Sequence, residues 1–339
     1  MDYKIKYLKY KTKYLQLLDQ IGRGKMIRGY TIYSLIVTHN GRIRCLLDSL
    51  EVPAIEEKTK QEIRFMNCAI LLLRITKDGY TISLEDEGNL AEESIKRAEK
   101  EKRKYYAKKN IGDIYTTFQG TGQVPKPLSL LQLTDDQIKK IGNNTYDFYI
   151  VRHGDGKHNS MTTFEKATST KVTDAELTLD GIAQAEQATV YLSKIKIRID
   201  NLYVSDLKRT RQTLERLIRG RVNRNEKLIE GRVGINGKEI VVLPCAHELD
   251  YVEGKNCDAN QGIKSALSYE NKVKCLADKD CVSNDICCKV NGLPINWSFY
   301  REFYGDGTRM KDGKNPSQKC RDTNMIQQAI IHIHKSFLD

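Results

Sequence analysis

Three short stretches of this chain carry residue types that could act together on a phosphoryl group. Phe148-Tyr-Ile-Val-Arg152-His153-Gly154 places an imidazole and a guanidinium at the end of an apolar, β-branched run, with Asn159 six residues further on. Ser205-Asp206-Leu207-Lys208-Arg209-Thr210 places a second guanidinium just after another short apolar run. Leu35-Ile-Val-Thr38-His39-Asn40-Gly41 repeats the pattern of an imidazole at a strand end. Phosphoryl transfer needs a nucleophile, cationic donors around the equatorial oxygens and an acid for the leaving oxygen. A carboxyl supply exists in Leu243-Pro-Cys-Ala-His247-Glu248-Leu249-Asp250, with Glu253 close behind.

These residues need strands to carry them. Tyr30 to Thr38 reads as a buried strand ending in a polar turn, and Gly41 to Leu50 as the helix that follows. Glu62 to Ile75 and Tyr80 to Leu84 read as strands around a Lys77-Asp78-Gly79 turn. Leu90 to Lys109 reads as a highly charged helix, and Asn110 to Asn144, with Gly120, Gly122, Pro125 and Pro127, as a linker. Tyr146 to Arg152 is a second buried strand. Thr178 to Ser193 and Leu207 to Ile218 are helices flanking a short strand at Asn201 to Ser205. Val241 and Val242 lie on a further strand, and Asp322 to Phe337 forms a terminal helix. Strands alternating with helices predict an α/β fold with ligands at the carboxyl ends of parallel strands.

The Arg152-His153-Gly154 triplet, Leu177-Thr178-x-x-Gly181-x-x-Gln184-Ala185 and Ser205-Asp206-Leu207-Lys208-Arg209-Thr210 together resemble the histidine phosphatase superfamily. The resemblance implies a phosphoglycerate mutase-like, three-layer α/β/α fold with a mostly parallel central sheet. The family also uses a second histidine at a strand end near its C-terminus. Here His332 and His334 fall inside a predicted helix, whereas Thr38-His39-Asn40-Gly41 lies upstream and resembles that element. The chain therefore reads as a circular permutation, which surface termini tolerate. Residues 30–86 would be the family's C-terminal part and 146–339 its N-terminal part, joined by a charged helix and linker at 87–145. The rival arrangement is two incomplete domains that complete one another in a dimer.

The resemblance implies that His153 is the nucleophile and becomes a phosphohistidine. It implies that Arg152 and Arg209 bind the phosphoryl oxygens, with Asn159, Gly154 and Asn40 as further substrate contacts. His39, protonated, would be another donor to the transferring group. Glu248 stands where the family keeps its proton donor, with a pKa raised by packing beside phosphate and by partial burial, and Asp250 and Glu253 compete for that role. His158 and His247 read as polar neighbours of the site. Lys157 reads as a candidate substrate contact. Mutases follow the Glu with Arg-His-Tyr-Gly; here Leu249-Asp250-Tyr251-Val252 follows, which favours water as acceptor and a small phosphorylated substrate. No metal or other cofactor is implied. The alternatives are a mutase-type phosphotransferase and a catalytically degenerate scaffold bound to a virion or to nucleic acid.

The net charge of the 339 residues is +12, from 56 basic and 44 acidic residues. Residues 1–29 hold eight basic and two acidic residues, and 91–109 hold eight and four, so ten of the twelve excess charges lie in these two segments. The main body is thus near neutral, which argues against a broad nucleic-acid footprint there. The leader, with Tyr7, Tyr10, Tyr14 and Leu18 on one face and Lys on the other, is suited to an anionic surface or nucleic acid. It resembles the Lys/Tyr-rich N-termini of many giant DNA virus proteins. No apolar run is long enough to span a membrane and no secretory signal is visible. Nine Cys without such a signal suggest mostly reduced thiols and a cytoplasmic location, in a host or virion if the chain is viral. Cys257, Cys275, Cys281, Cys287, Cys288 and Cys320 crowd an insertion at 257–320 without the paired spacing of a structural zinc site.

Overall fold

A computed structural model describes residues 29–52, 63–90, 95–96, 99–100, 104–107, 115–159, 175–195, 199–219, 239–250, 258–259, 289–300 and 324–338. Strand β1 (Thr31–Thr38) leads into helix α1 (Asn40–Ser49). There follow β2 (Ile63–Phe65), β3 (Ile70–Thr76), β4 (Gly79–Asp86), β5 (Lys104–Ala107) and β6 (Tyr115–Thr117). Helix α2 (Asp135–Ile141), β7 (Thr145–Arg152), α3 (Leu179–Lys194), β8 (Asn201–Val204) and α4 (Lys208–Ile218) come next. The remainder is β9 (Ile240–Val242), β10 (Leu249–Asp250), β11 (Asp258–Ala259), β12 (Lys289–Val290), β13 (Leu293–Asn296) and α5 (Met325–Leu338).

Eight strands form one mixed sheet in the order β12-β13-β9-β8-β1-β7-β3-β4. The centre is parallel: β1 pairs with β7 from Thr31↔Thr145 to Thr38↔Arg152 and with β8 on its other side, and β9 continues parallel to β8 and to β13. The flanks are antiparallel, β3 with β7, β3 with β4, and β12 with β13. The period-2 alternation of a strand sends successive side chains to opposite faces. Ile36, Phe148 and Ile150 accordingly pack into one apolar cluster with Leu47 of α1 and Ile330 of α5. Leu35, Val37, Tyr149 and Val151 pack into the other with Leu192 of α3 and Leu214 of α4. Both faces of the central strands are covered, which is why these strands are apolar throughout rather than alternating.

The outer elements differ from expectation in four places. The predicted strand from Glu62 to Ile75 is broken between β2 and β3, where Cys68 adopts a positive φ of 58° and the chain turns. Only β3 joins the main sheet; β2 pairs with β5 in a separate three-stranded sheet. The predicted charged helix at 90–109 is helical at residues 95–96 and 99–100 but is followed within that range by β5, whose Tyr106 is buried against Phe65 and Phe118. That aromatic packing outweighs the helix propensity of the flanking Lys and Glu. The predicted linker at 110–144 holds β6 and α2, with Leu128, Leu131 and Ile141 in the core. Helix α2 is opened by a capping box in which Thr134 accepts from Gln137 N–H and Gln137 accepts from Thr134 N–H.

The fourth difference concerns the cysteines. Cys45 and Cys245 are disulfide-bonded, whereas Cys68 is a buried free thiol. A count of cysteines carries no information about which thiols the fold brings within bonding distance. The leader, most of the Cys-rich insertion and the side chains of His158, Asp250 and Glu253 lie outside the described residues. No helix among the described residues is long and apolar enough to cross a membrane.

Candidate active site

Four parallel strands end side by side, and each delivers part of one cluster. His39 follows β1, Arg152 and His153 close β7, Ser205 and Arg209 follow β8, and Glu248 follows β9. Backbone bonds hold these ends level: His153 N–H donates to Thr38 O at 2.9 Å, Ser205 N–H to Val37 O at 3.2 Å and Leu243 N–H to Val204 O at 2.9 Å. The Thr38 hydroxyl donates to Ala246 O at 2.7 Å and so ties the end of β1 to the turn before Glu248.

The two glycine motifs explain each other. A Cβ on Gly154 would lie 2.4 Å from Gly181 O, and one on Gly181 would lie 2.1 Å from Asp155 O. Only two glycines allow the loop after His153 to press on the start of α3. Thr178 caps that helix, accepting from Gly181 N–H, and its hydroxyl donates to the Asp155 carboxylate at 3.0 Å. Asn159 donates to the same carboxylate at 2.7 Å.

The rings of His39 and His153 stand edge to face with centroids 4.9 Å apart. His153 Nδ1 lies 2.6 Å from Gly154 O, an acceptor only, so Nδ1 carries the proton and Nε2 presents a lone pair. Arg209 Nε–H donates to that Nε2 at 3.2 Å. Burial, then the guanidinium of Arg209, hold the His153 pKa well below its ordinary value, so the ring is neutral. Asn67, in the break between β2 and β3, donates to His153 O at 3.1 Å, and Gly154 N–H is held by Thr213 Oγ at 3.0 Å. Arg152 donates to Phe65 O, and Asn40 accepts from Phe65 N–H at 2.8 Å, so both brace the strand break beside the cluster.

His39 is fully buried. Its Nε2 lies 2.7 Å from Ser205 Oγ, and its Nδ1 lies 3.0 Å from Glu248 Oε2. Ser205 Oγ accepts from Leu207 N–H at 3.2 Å and has its own proton to give to Nε2. That leaves the His39 proton on Nδ1, facing Glu248. Burial lowers the His39 pKa to about 4 although Glu248 raises it. Desolvation of the imidazolium outweighs one nearby carboxylate, so His39 is neutral in this geometry, against the expectation of a protonated ring. Neutral His39 still directs an N–H into the cluster.

Glu248 Oε2 also accepts from Arg209 Nη2 at 3.0 Å and lies 3.9 Å from His153 Nε2. Burial pushes its carboxyl pKa up, but the hydrogen bond from His39 and the guanidinium of Arg209 hold it well below the usual range. The expected upward shift belongs to a carboxyl packed beside phosphate; here the carboxylate stands among these donors, which favour its charged form. Its side chain is 27 % exposed, which leaves it a path outward.

Ser205, Thr210, Asn67 and Thr213 complete the cluster and were not singled out from sequence as site residues. Ser205 and Thr210 stand in a motif already quoted, and their 3.0 Å contact is the sort a Ser-x4-Thr spacing at a helix start allows.

The donor set favours an anion. His39 Nδ1, His153 Nε2 and a Glu248 oxygen lie within 4.8 Å of one another, close enough to bracket a metal ion. Arg209, however, donates into both His153 and Glu248, so a metal there would meet a fixed guanidinium. The same guanidinium beside two imidazoles is well placed for a tetrahedral oxyanion.

Residues 148–242 match the family model described as the histidine phosphatase superfamily (branch 1). The matched stretch is well under half of the 339 residues; it includes His153 and Arg209 and stops short of Glu248 and His39. No curated protein and no solved structure matches the chain. The match to this superfamily supports an enzyme of the phosphatase or mutase type.

Proposed function

We propose that the chain is a circularly permuted histidine phosphatase that hydrolyses a small phosphomonoester through a phosphohistidine on His153. One observation carries this reading. The imidazole of His39, far outside the matched residues, meets that of His153 edge to face, with Arg209 and Glu248 closing the same cup. In the permuted reading, residues 30–86 are the family's C-terminal part, and β1 takes its place between β7 and β8 because pairing depends on adjacency rather than chain order. Residues 87–145 connect the two parts and contribute α2 to the core.

The phosphoryl group takes the position of Glu248 Oε2, and the carboxylate swings towards solvent. Arg209, Arg152 and the Nδ1–H of His39 receive the equatorial oxygens, with Asn40, Gly154 and Asn159 shaping the rim. The Nε2 lone pair of His153 attacks phosphorus as the bond to the leaving oxygen breaks. Displaced from Arg209 and His39 and set beside a phosphate dianion, Glu248 gains a proton and gives it to that oxygen. It then takes a proton from the water that attacks the phosphohistidine, releasing inorganic phosphate and restoring the imidazole. Hydrolysis is favoured over mutase chemistry because Leu249-Asp250-Tyr251-Val252 follows Glu248 in place of the mutases' Arg-His-Tyr-Gly.

The test is rapid quench with a radiolabelled phosphomonoester and no added metal. The expected result is an acid-labile, base-stable protein label that appears before steady state and is absent in His153→Asn. Turnover that survives in His153→Asn would refute the mechanism.

A further inference from the structure

Asp206 lies between the two arms of the site. It follows Ser205, which bonds His39 Nε2. Its own carboxylate turns to the other arm: Oδ1 lies 2.6 Å from His247 Nδ1, and Oδ2 accepts from the Tyr300 hydroxyl at 2.9 Å. His247 is the residue immediately before Glu248. The Asp206 side chain is 1 % exposed, and a carboxylate so deeply removed from water is costly unless its oxygens are satisfied. The turn that carries Glu248 is held from two further directions, by Thr38 Oγ on Ala246 O and by Arg42 Nε on His247 O at 3.3 Å.

We infer that Asp206 is a positioning residue for proton donation: through His247 it fixes the turn from which Glu248 reaches the leaving oxygen. The inference rests on the hydrolase reading and goes beyond it by separating the support of the acid from the support of the nucleophile. The bonds that hold His153 run to Gly154, Asn67 and Arg209, and those of the Asp206 carboxylate to His247 and Tyr300. Loss of Asp206 should therefore disturb protonation of the leaving group and leave attack on phosphorus intact.

Leaving-group dependence reads that distinction. With 2,4-dinitrophenyl phosphate the departing oxygen needs no proton; with glycerol phosphate it does. In Asp206→Asn, kcat for glycerol phosphate should fall about 10- to 100-fold, the scale of a catalytic group misplaced by about 1 Å. The rate constant of the phosphohistidine burst with 2,4-dinitrophenyl phosphate, which precedes the step in which Glu248 acts as base, should change less than about threefold. Tyr300→Phe, which removes one bond to the same carboxylate, should give a smaller loss of the same selectivity and covers the case in which Asp206→Asn does not fold. Equal losses in the rate of phosphohistidine formation from both substrates, or none with either, would overturn the inference while the label itself upholds the hydrolase reading. A wild-type protein that forms no label with the activated substrate would overturn both.

Discussion

Replacing Glu248 by Gln should strengthen phosphate binding while it slows turnover. Oε2 lies 3.0 Å from Arg209 Nη2 and from His39 Nδ1 and 3.9 Å from His153 Nε2, so the carboxylate and a bound anion compete for the same donors. Two unit charges about 4 Å apart repel by about 4 kcal/mol at an effective dielectric of about 20, and by about half that at about 8 Å. A carboxylate already 27 % exposed can retreat to the longer distance, but it still gives up its contacts to Arg209 and His39. A net penalty of about 1.5–2 kcal/mol remains on binding, equivalent to about 10- to 30-fold in affinity. The amide of Gln keeps the shape without the charge. Calorimetric titration of the Glu248→Gln protein with inorganic phosphate at neutral pH should show that gain. The same protein should hydrolyse glycerol phosphate about 100- to 10,000-fold more slowly, the usual worth of a general acid. Weaker phosphate binding in Glu248→Gln would mean that Oε2 does not stand in the anion position, and the placement of the phosphoryl group would have to be abandoned.

Two predictions concern stability. Arg74 and Asp147 face each other across β3 and β7 and form two bonds of 2.8 Å, with Asp147 fully buried and Arg74 half exposed. Arg74→Ala should cost about 2–3 kcal/mol, below the 3–5 of a fully buried pair because water can reach the gap; the double variant Arg74→Met, Asp147→Val should recover most of it, and equal urea midpoints for the wild type and Arg74→Ala would contradict this. His39 titrates near 4 in the folded protein against 6.5 in the unfolded chain, so the unfolded state binds the extra proton between those values. Stability is then complete above pH 6.5 and lost as the pH falls through 4, by about 3 kcal/mol from this residue, with His153 adding in the same direction. Urea unfolding at pH 7.5, 5.5 and 4.0 should show the decline, and His39→Asn should flatten it; a wild-type midpoint independent of pH would count against a neutral His39.

The parts of the fold that position the site were legible because each has a local cause. Apolar, β-branched runs at 31–38 and 145–152 can only be strands covered on both faces, and Thr178 three residues before Gly181 marks a helix start. The outer elements were not legible because their causes are distant. Tyr106 forms a strand in a segment dense with Lys and Glu because Phe65 and Phe118 surround it, and neither is a sequence neighbour. Helix α2 was hidden by the glycines and prolines before it, although Thr134-x-x-Gln137 signals a capping box to a closer look. Protonation was the least legible layer. The residue types at 39 and 248 were readable, but their charge states depend on burial and on each other.

Chain order is a weak constraint on such a site, and the sheet shows why. The cup needs four neighbouring carboxyl ends, and β9, β8, β1 and β7 supply them as consecutive parallel strands. Moving β1 from the end of a chain to its beginning leaves every one of those pairings available, provided the old ends can be joined outside the sheet. Under the proposed permutation, the matched residues 148–242 bring His153 and Arg209, and His39, outside that stretch, lies 3.0 Å from Glu248. It follows that the joining segment tolerates change more readily than the strand ends do. Insertions at 108–114, between β5 and β6, should leave phosphohistidine formation intact, whereas Val37→Asp, in the strand flanked by β7 and β8 and fully buried, should abolish it by separating the two rings.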